Sequence, residues 1–273
     1  MNRFSFQNPR HFFHSFALFA VMMCPCEIEA AREFSTDRPD ATESPFTLER
    51  GHMQLEASAA SWLRERHTSG GDGTRVEIWN LLPFNLRLGL TPRWELQVVV
   101  DGHLDVKVED RPLGIRVRQR GMGDTTLRAK CNFWGNDGGE TAFGVMPFIK
   151  LPTASDGLGN DSVEGGIIFP LAMKLGSELS LGAMTELDLA RNERDSYDTI
   201  WINTVTVGRD LTDKLGAFVE LTLETGGGKP AMGFNTGLTF MVNEDLQLDA
   251  GVAIGLTRPA PDLVVTLGFS QRF

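Results

Sequence analysis

Apolar and polar residues alternate along the chain from about residue 51 to the C-terminus. In the segment 214–225, Val219 and Leu221 share one parity, while Glu220 and Thr222 share the other. Alternation with a period of two is typical of a β-strand whose two faces meet different surroundings. No helical periodicity competes with it. The alternation predicts about twelve strands, near 53–63, 75–90, 94–106, 123–134, 140–151, 163–175, 178–190, 198–209, 214–225, 231–242, 245–256 and 262–273.

The number and length of these strands indicate how they close. When residues 51–273 are divided among about twelve strands, roughly 19 residues remain for each strand with its connection, which suits tilted membrane strands of ~9–11 residues. A soluble sandwich also alternates, but all of its apolar faces would have to share one core. We therefore expect an all-β fold, a transmembrane antiparallel up-and-down β-barrel over residues 51–273.

One strand departs from strict alternation. In 75–90, Val76 and Ile78 share the parity of Leu86, whereas Trp79 and Leu81 lie on the other parity. We expect Val76 and Ile78 to lie on the same face as Leu86, with the two remaining apolar residues as exceptions.

The connections provide an independent test of the barrel. Every second connection is short, and these are residues 91–93, 135–139, 176–177, 210–213 and 243–244. Three of the others are long and charged, namely 64–74, 107–122 and 152–162, whereas 226–230 and 257–261 are short. Short periplasmic turns with longer outer loops are typical of outer-membrane barrels. We expect both ends of the barrel chain in the periplasm.

The N-terminus has the features of an export signal. Residues 16–23 form a short apolar stretch after a polar region, and small residues follow at Ala30 and Ala31. Such a stretch is too short to span a bilayer. The alternative is a buried helix. We expect residues 1–30 to be a cleaved signal peptide and residues 31–50 to be an N-terminal periplasmic segment.

The segment before the first strand combines charges with a rigid proline: Asp37, Arg38, Pro39 and Asp40. It could fold into the periplasmic mouth of the barrel and restrict a pore. It could equally be a flexible leader, and the sequence leaves both interpretations open.

Composition excludes several other classes of protein. The net charge of −10 argues against nucleic-acid binding. Cys24, Cys26 and Cys131 form no zinc-finger spacing or paired disulfide framework, and the histidines lie on separate segments. We expect no metal and no cofactor.

Side chains on the polar parity would face the barrel interior. We expect the following residues to line the lumen: Glu56, Arg87, Glu95, Asp101, Asp124, Arg128, Lys130, Lys150, Glu186, Glu220, Glu224, Asp249 and Arg272. They could form a paired network that fills a narrow lumen, because buried charges must be paired. They could instead line a water-filled passage that favours neutral or cationic solutes, because acidic candidates outnumber basic ones. In the second case, neutralising Glu220 and Asp249 should reduce cation preference.

A lipid-acting enzyme is a third possibility. His67, Thr68 and Ser69 place a histidine and a serine two residues apart. They lie in a glycine-rich polar loop rather than on an alternating strand, which favours a coincidence of loop sequence. We therefore expect no enzymatic activity, and loss of hydrolysis in Ser69→Ala would be the sign of one.

The end of the chain fits an outer-membrane protein. Phe273 follows apolar residues at alternate positions, and this ending resembles the C-terminal signal that the barrel-assembly machinery reads. Aromatic residues near strand ends are suited to an interfacial girdle, namely Trp94, Phe133, Trp134, Phe143, Phe240 and Phe269. The expected partners are outer-membrane lipids, the assembly machinery and an unidentified small-molecule permeant.

Several motifs together resemble one known family. The segment TDRPDATESP at 36–45, followed by GHMQLE at 51–56, resembles the opening of the family named for a putative MetA pathway of phenol degradation. The likeness continues through RLGLT at 87–91, RWEL at 93–96, GMGD at 121–124 and KLPT at 150–153. The resemblance implies an exported, transporter-like outer-membrane barrel that passes small organic compounds. It implies no catalytic residues.

Overall fold

The structure is a computed structural model that describes residues 32–66, 73–155, 157–192 and 194–273. The expected signal peptide at 1–30 and the residues His67 and Ser69 lie outside this range. The described residues contain no helix that is long and apolar enough to cross a membrane. Their strands are β1 (Met53–Glu65), β2 (Thr74–Leu81), β3 (Phe84–Thr91), β4 (Trp94–Val100), β5 (His103–Asp110), β6 (Ile115–Met122), β7 (Thr125–Trp134), β8 (Thr141–Leu151), β9 (Glu164–Lys174), β10 (Leu179–Arg191), β11 (Tyr197–Asp210), β12 (Leu215–Thr225), β13 (Ala231–Asn243), β14 (Leu246–Gly255) and β15 (Leu263–Arg272).

These segments form one closed antiparallel barrel. β1 pairs with both β2 and β3, and it also pairs with β15, which closes the sheet. The segments β2 and β3, β4 and β5, and β6 and β7 each continue one another, so that fifteen described segments make twelve barrel strands. The predicted all-β barrel with about twelve strands is confirmed.

The two ends of the barrel differ in their connections. We call the end that carries Met53 and Phe273 the near end; there the two residues exchange backbone hydrogen bonds of 3.3 and 2.7 Å. The near-end turns are short and comprise residues 92–93, 135–140, 175–178, 211–214 and 244–245. The opposite, far end carries the connections 66–73, 111–114, 152–163, 192–196, 226–230 and 256–262.

A row of interruptions crosses three neighbouring barrel strands, and it reverses the parity of their faces. Leu81 and Met122 both pair with His103, whereas Phe84 and Thr125 both pair with Val100. Successive outward positions on each of the three strands are therefore three residues apart, where strict alternation requires two. Gly102 lies at the break, where an added Cβ would come within 2.0 Å of the Leu81 carbonyl oxygen. Only glycine therefore fits there.

This reversal corrects the face predicted for the start of the second barrel strand. Trp79 pairs with Trp62, and Leu81 pairs with Ala60, on the face that continues the barrel exterior. Val76 and Ile78 therefore face inward, contrary to the expectation. The break between β2 and β3 causes the error, since parity carried across an interruption assigns the wrong face.

The predicted loop at 107–122 is also corrected. β5 continues to Asp110, the turn occupies residues 111–114, and β6 begins at Ile115. The arginines at alternate positions in β6, Arg116, Arg118 and Arg120, fall within the predicted charged loop. They form the outward face of a strand at the far end of the barrel, away from the apolar middle of the exterior.

The barrel exterior is apolar along its middle. Leu267, Leu221 and Val219 are 55%, 51% and 47% exposed on outward-facing positions. Phe133 and Phe143 lie near one another at the near end, with ring centroids 5.9 Å apart. An apolar surface with aromatic residues at its edge fits a bilayer with two interfaces.

Candidate functional site

Residues 32–50, which we call the lumen segment, lie inside the barrel as a loop inserted from the near end. Arg32 donates a hydrogen bond of 2.8 Å to Asp137 in a near-end turn. The chain then rises to Thr42, whose backbone N–H donates to Glu220 at 2.8 Å. It returns at Thr47, whose N–H donates to the near-end residue Asn136 at 2.9 Å. The sequence left open whether this segment restricts a pore or forms a flexible leader. In the structure, the segment is docked in the lumen.

One side of the lumen is a buried charged network, which we call the charged wall: Gln54, Glu56, Arg87, Glu95, Gln97 and Lys130. Arg87 lies at its centre, 2.8 Å from Glu56 and 3.0 Å from Glu95. Lys130 lies 3.6 Å from Glu95. The wall comes from β1, β3, β4 and β7, whose inward faces meet because these strands are neighbours. Complete burial of so many charges requires this mutual pairing.

Asp37 joins the lumen segment to the charged wall. Its carboxylate lies 2.6 Å from Lys130 and 3.6 Å from Arg87. Gln97 donates a further hydrogen bond of 2.8 Å. Burial alone would raise the pKa of Asp37, but Arg87 and Lys130 outweigh burial and hold that pKa well below its usual range. Asp37 therefore stays ionised and anchors the segment.

Arg38 holds the other side of the segment. Its Nε and Nη2 atoms donate to Asp249 at 2.9 and 2.7 Å, a two-point contact with a carboxylate. Its Nη1 donates to Ser58 at 2.8 Å. An added Cβ at Gly268 would lie 2.0 Å from the guanidinium, so this glycine makes room for the pair.

Asp40 and Glu220 meet at the tip of the segment. Glu220 accepts hydrogen bonds from the Ala41 and Thr42 backbone at 3.0 and 2.8 Å. Burial, and secondly the negative charge of Glu220, raise the pKa of Asp40 to about 7. The segment tip thus carries a carboxyl group that resists ionisation while it is docked.

Glu43 connects the segment to Arg128 of β7. The two side chains lie 2.6 Å apart. Burial raises the pKa of Glu43 although Arg128 opposes that shift. The Oε2 atom of Glu43 and the Nε atom of Arg128 are buried without hydrogen-bond partners in the described part of the chain. This contact is therefore less completely satisfied than the contacts of Asp37.

The next strands around the barrel, β8 to β11, carry an inward apolar cluster, which we call the apolar wall: Met146, Phe148, Ile168, Met184 and Ile202. Met146 pairs with Ile168 across β8 and β9, and both are at most 1% exposed. The Glu43 backbone N–H lies 3.4 Å from the Met184 sulfur, so the segment rests on this wall. The sequence analysis missed it. Apolar residues at both parities of 163–175 were the available signal, because such a strand is apolar on both faces.

A second inward apolar surface lies at the far end. Leu63, Ile78 and Val106 are paired in one row, and Val76 and Val108 are paired in the next. All five are half-buried. We call this surface the far-end apolar face.

The remaining predicted lumen residues fall into separate groups. Lys150 lies 2.9 Å from Glu164 and 3.6 Å from Asp124, which also accepts backbone N–H groups from the loop after β8. Arg272 lies at the near end, 2.8 Å from Asp245. Asp101, Glu186 and Glu224 accept no hydrogen bond from the lumen segment among the described contacts, and Asp101 and Glu224 are exposed.

A cavity of about 630 Å³ opens beside the lumen segment at the near end. Phe34 and Leu48 of the segment line one side. Lys174, Arg272 and the turn at 135–140 contribute to the rest. The described residues contain no group of three or more His, Cys, Asp or Glu side chains that could hold a metal ion.

Comparisons with known proteins agree with this architecture. The sequence profile of the family described as "Putative MetA-pathway of phenol degradation" matches residues 36–273. No curated protein matches the chain. An outer-membrane channel from Pseudomonas putida F1 is similar in structure, with a TM-score of 0.65 at 13% identity over 88% of this chain and 100% of that chain.

Two porins are also similar. The KdgM porin has a TM-score of 0.51 at 10% identity over 81% of this chain and 99% of its own. The NanC porin has a TM-score of 0.52 at 9% identity over 80% and 98%. At such identities the likeness shows the fold alone.

Proposed function

Because the chain belongs to the family described as "Putative MetA-pathway of phenol degradation", we propose that it is an outer-membrane channel for small organic compounds, closed by its own lumen segment. The name of the family and the channel among its structural neighbours support this proposal. The single observation that carries it is the unequal lining of the lumen, with a buried charged network on β1, β3, β4 and β7 and an apolar cluster on β8 to β11.

The unequal lining favours hydrophobic or aromatic permeants that carry a polar group. The far-end apolar face and the apolar wall offer such compounds favourable contacts at two levels of the lumen. The charged wall offers hydrogen-bonding groups on the adjoining strands. A lumen for strongly hydrated ions would not need Met146 and Ile168 on its inner surface.

The lumen segment would act as the gate. It is held by ion pairs and hydrogen bonds from Asp37, Arg38 and Thr42. It also covers Met184 of the apolar wall. When the segment leaves, water replaces the partners of its polar groups, so the net free energy lost is well below the gross energy of those hydrogen bonds. Because the segment occupies the lumen, passage of a solute would require the segment to move.

The proposed setting is the outer membrane with the near end in the periplasm. Residues 1–30 would be removed on export, and the strand ending at Phe273 would be read by the assembly machinery. Cysteines placed at Ser69 and at Gly114, in the turn between β5 and β6, should be labelled on intact cells. Protection of both sites would overturn this orientation.

Planar-bilayer recording tests the gate. Glu220→Gln with Asp249→Asn weakens the contacts to Thr42 and Arg38, so we expect more frequent opening than in the natural protein. The matched control is Glu186→Gln with Glu224→Gln, which removes two lumen carboxylates without touching a segment hydrogen bond. Equal behaviour of the two variants would contradict the gate.

A structural barrel with a permanently filled lumen is the competing function. The number of buried contacts around Arg87 favours it. It predicts no conductance from well-folded protein, and none from the Glu220→Gln and Asp249→Asn variant. Hydrolysis of lipids that is lost in Ser69→Ala would support the enzyme instead.

A further inference from the structure

The outward face of the far-end sheet carries a dense group of basic residues. This sheet consists of the end of β1 with β2, β5 and β6. Arg64, Glu77, Lys107 and Arg118 lie side by side in one row across it. We call the basic members of this face the basic patch: Arg64, Arg75, Lys107, Arg116, Arg118 and Arg120.

The charge of this face is opposite to that of the chain. The patch has six basic residues, and the same face carries three acidic ones, Glu77, Asp105 and Glu109. The protein as a whole has a net charge of −10. A local positive excess on an acidic protein attracts anionic groups at short range.

The patch lies at and directly beyond the aromatic edge of the apolar exterior. Trp62 and Trp79, with ring centroids 6.2 Å apart, share a row with Arg120, one row nearer the middle of the barrel than Arg64 and Arg118. Leu81 and Met122, which are 43% and 46% exposed, follow in the row below. Tryptophan in membrane proteins is enriched at the headgroup level. The basic patch is therefore at the height where headgroup phosphates would lie.

The arginines of the patch are positioned but still accessible. Arg118 and Arg120 share Asp105, with Nε to oxygen distances of 2.7 and 3.1 Å. Arg116 lies 2.8 Å from Glu109. The side chains of Arg116, Arg118 and Arg120 nevertheless remain 82%, 47% and 54% exposed. Each can still donate to a further anion.

Two other members have unsatisfied donors. Arg64 lies with its guanidinium carbon 5.3 Å from the centre of the Trp62 ring. The Nε atoms of Arg64 and Arg75 are enclosed and lack hydrogen-bond partners among the described residues. A phosphate supplies several strong acceptor oxygens, and arginine binds it at two points.

We propose that the basic patch binds the phosphorylated headgroups of anionic lipids in the outer leaflet of the membrane. The inference rests on the proposed membrane placement. The lipid tails would lie along the apolar exterior below Trp62 and Trp79, while the phosphates would contact the arginines. A bound lipid of this kind would also lie along the edge of β6, whose strand partner in the described part of the chain is β5 and whose last residue, Met122, bonds to Ser155.

Native mass spectrometry of the full mature chain in detergent tests the proposal. The probes are lipid A, which carries phosphates, phosphatidylcholine, whose phosphate is balanced by a cation, and inorganic phosphate. We expect lipid A adducts and few phosphatidylcholine adducts. The triple variant Arg116→Gln, Arg118→Gln, Arg120→Gln should weaken lipid A binding by on the order of 100-fold. Each basic residue near an anionic lipid surface raises the binding affinity by about tenfold or slightly less.

A second variant gives an effect of opposite sign. Asp105→Asn frees Arg118 and Arg120 from their shared carboxylate and should strengthen lipid A binding. If the ion pairs of Asp105 were purely structural, this variant would not gain affinity for lipid A. The matched control for charge removal is Lys174→Gln, Arg209→Gln, Lys214→Gln at the near end, and its lipid A binding should be unchanged.

Every other outcome overturns the inference. Equal retention of phosphatidylcholine would show a non-specific apolar surface. Displacement of lipid A by millimolar inorganic phosphate would show a simple anion site. Unchanged binding in both patch variants would place the lipid elsewhere. If these results came with normal bilayer conductance, the lipid inference would fail and the proposed channel would stand.

Discussion

The two walls of the lumen are both closely packed, one by paired charges and the other by apolar side chains. The charged wall surrounds Arg87 with carboxylates, and Arg87 itself is fully buried. The apolar wall packs Met146 against Ile168 with almost no exposed surface. The lumen segment lies between them, bonded through Asp37 on one side and resting on Met184 on the other.

The difference shows where the segment is held and where it can slide. Charged contacts are directional, so Asp37 is fixed in place by Lys130, Arg87 and Gln97. Apolar contacts are non-directional and depend mainly on area. We infer that the charged wall sets the position of the segment, whereas the apolar wall offers a surface to a permeant once the segment has moved.

The largest expected effect comes from breaking the charged wall. Arg87→Leu leaves Glu56, Glu95 and Asp37 buried without their central partner, which should lower the free energy of unfolding by about 3–5 kcal/mol. Urea unfolding of the refolded barrel measures the change. The control is Arg209→Leu, because Arg209 pairs with Glu178 on the surface and should cost less than about 1 kcal/mol. A similar loss in both variants would contradict the charged wall.

The assignment of inside and outside can be tested on one strand. Leu221 faces outward near the middle of β12, where the proposed membrane would lie, so Leu221→Arg should cost about 2–4 kcal/mol of folding free energy. The neighbour Thr222 faces the lumen, and Thr222→Arg should cost less. Folding in lipid vesicles followed by urea titration measures both, and equal costs would contradict the register.

The apolar wall should respond more weakly than the charged wall. Met146→Ala removes a buried side chain and should cost about 2 kcal/mol. The same unfolding titration measures it. Met232, which is 37% exposed on the outer face, provides the control variant Met232→Ala with a smaller expected loss. A loss as large as that of Arg87→Leu would show that both walls hold the barrel equally.

The smallest expected effect is a dependence of gating on pH. Docking raises the pKa of Asp40 from an ordinary value of 3.8 to about 7, so docking takes up a proton. The docked state is therefore favoured at low pH and loses stability as pH rises from about 4 to 7. The raised pKa of Glu43 acts in the same direction. Asp37, whose pKa is lowered, acts oppositely and only in more acidic solution.

Single-channel recording across this range measures the dependence. We expect opening to become more frequent as pH rises, and Asp40→Asn should flatten the response. Asp213→Asn, in a near-end turn, should leave the response unchanged. More frequent opening at acidic pH in the natural protein would contradict this assignment.

Sequence reasoning was strongest where the two faces of a strand meet different surroundings. The strand near 214–225 was predicted with Val219 and Leu221 on its outward face, and the short near-end turns were located to within a residue or two. It failed at Val76 and Ile78, because the interruption at Leu82 resets the parity, and at β6, because a charged outward face resembles a loop. It also missed the apolar wall, since an apolar inward face leaves no alternation to detect.

The sequence by itself determined a closed barrel of about twelve strands, because alternation is a local property: the residues of each strand show that its two faces meet different surroundings. The family motifs are likewise short local segments of the sequence. Only the tertiary structure decided that Asp37 meets Lys130, that Arg38 meets Asp249 and that the lumen segment contacts both a charged wall and an apolar one. These contacts join residues far apart in the chain, and their partners are selected by the curvature of the closed sheet and by the space it leaves inside.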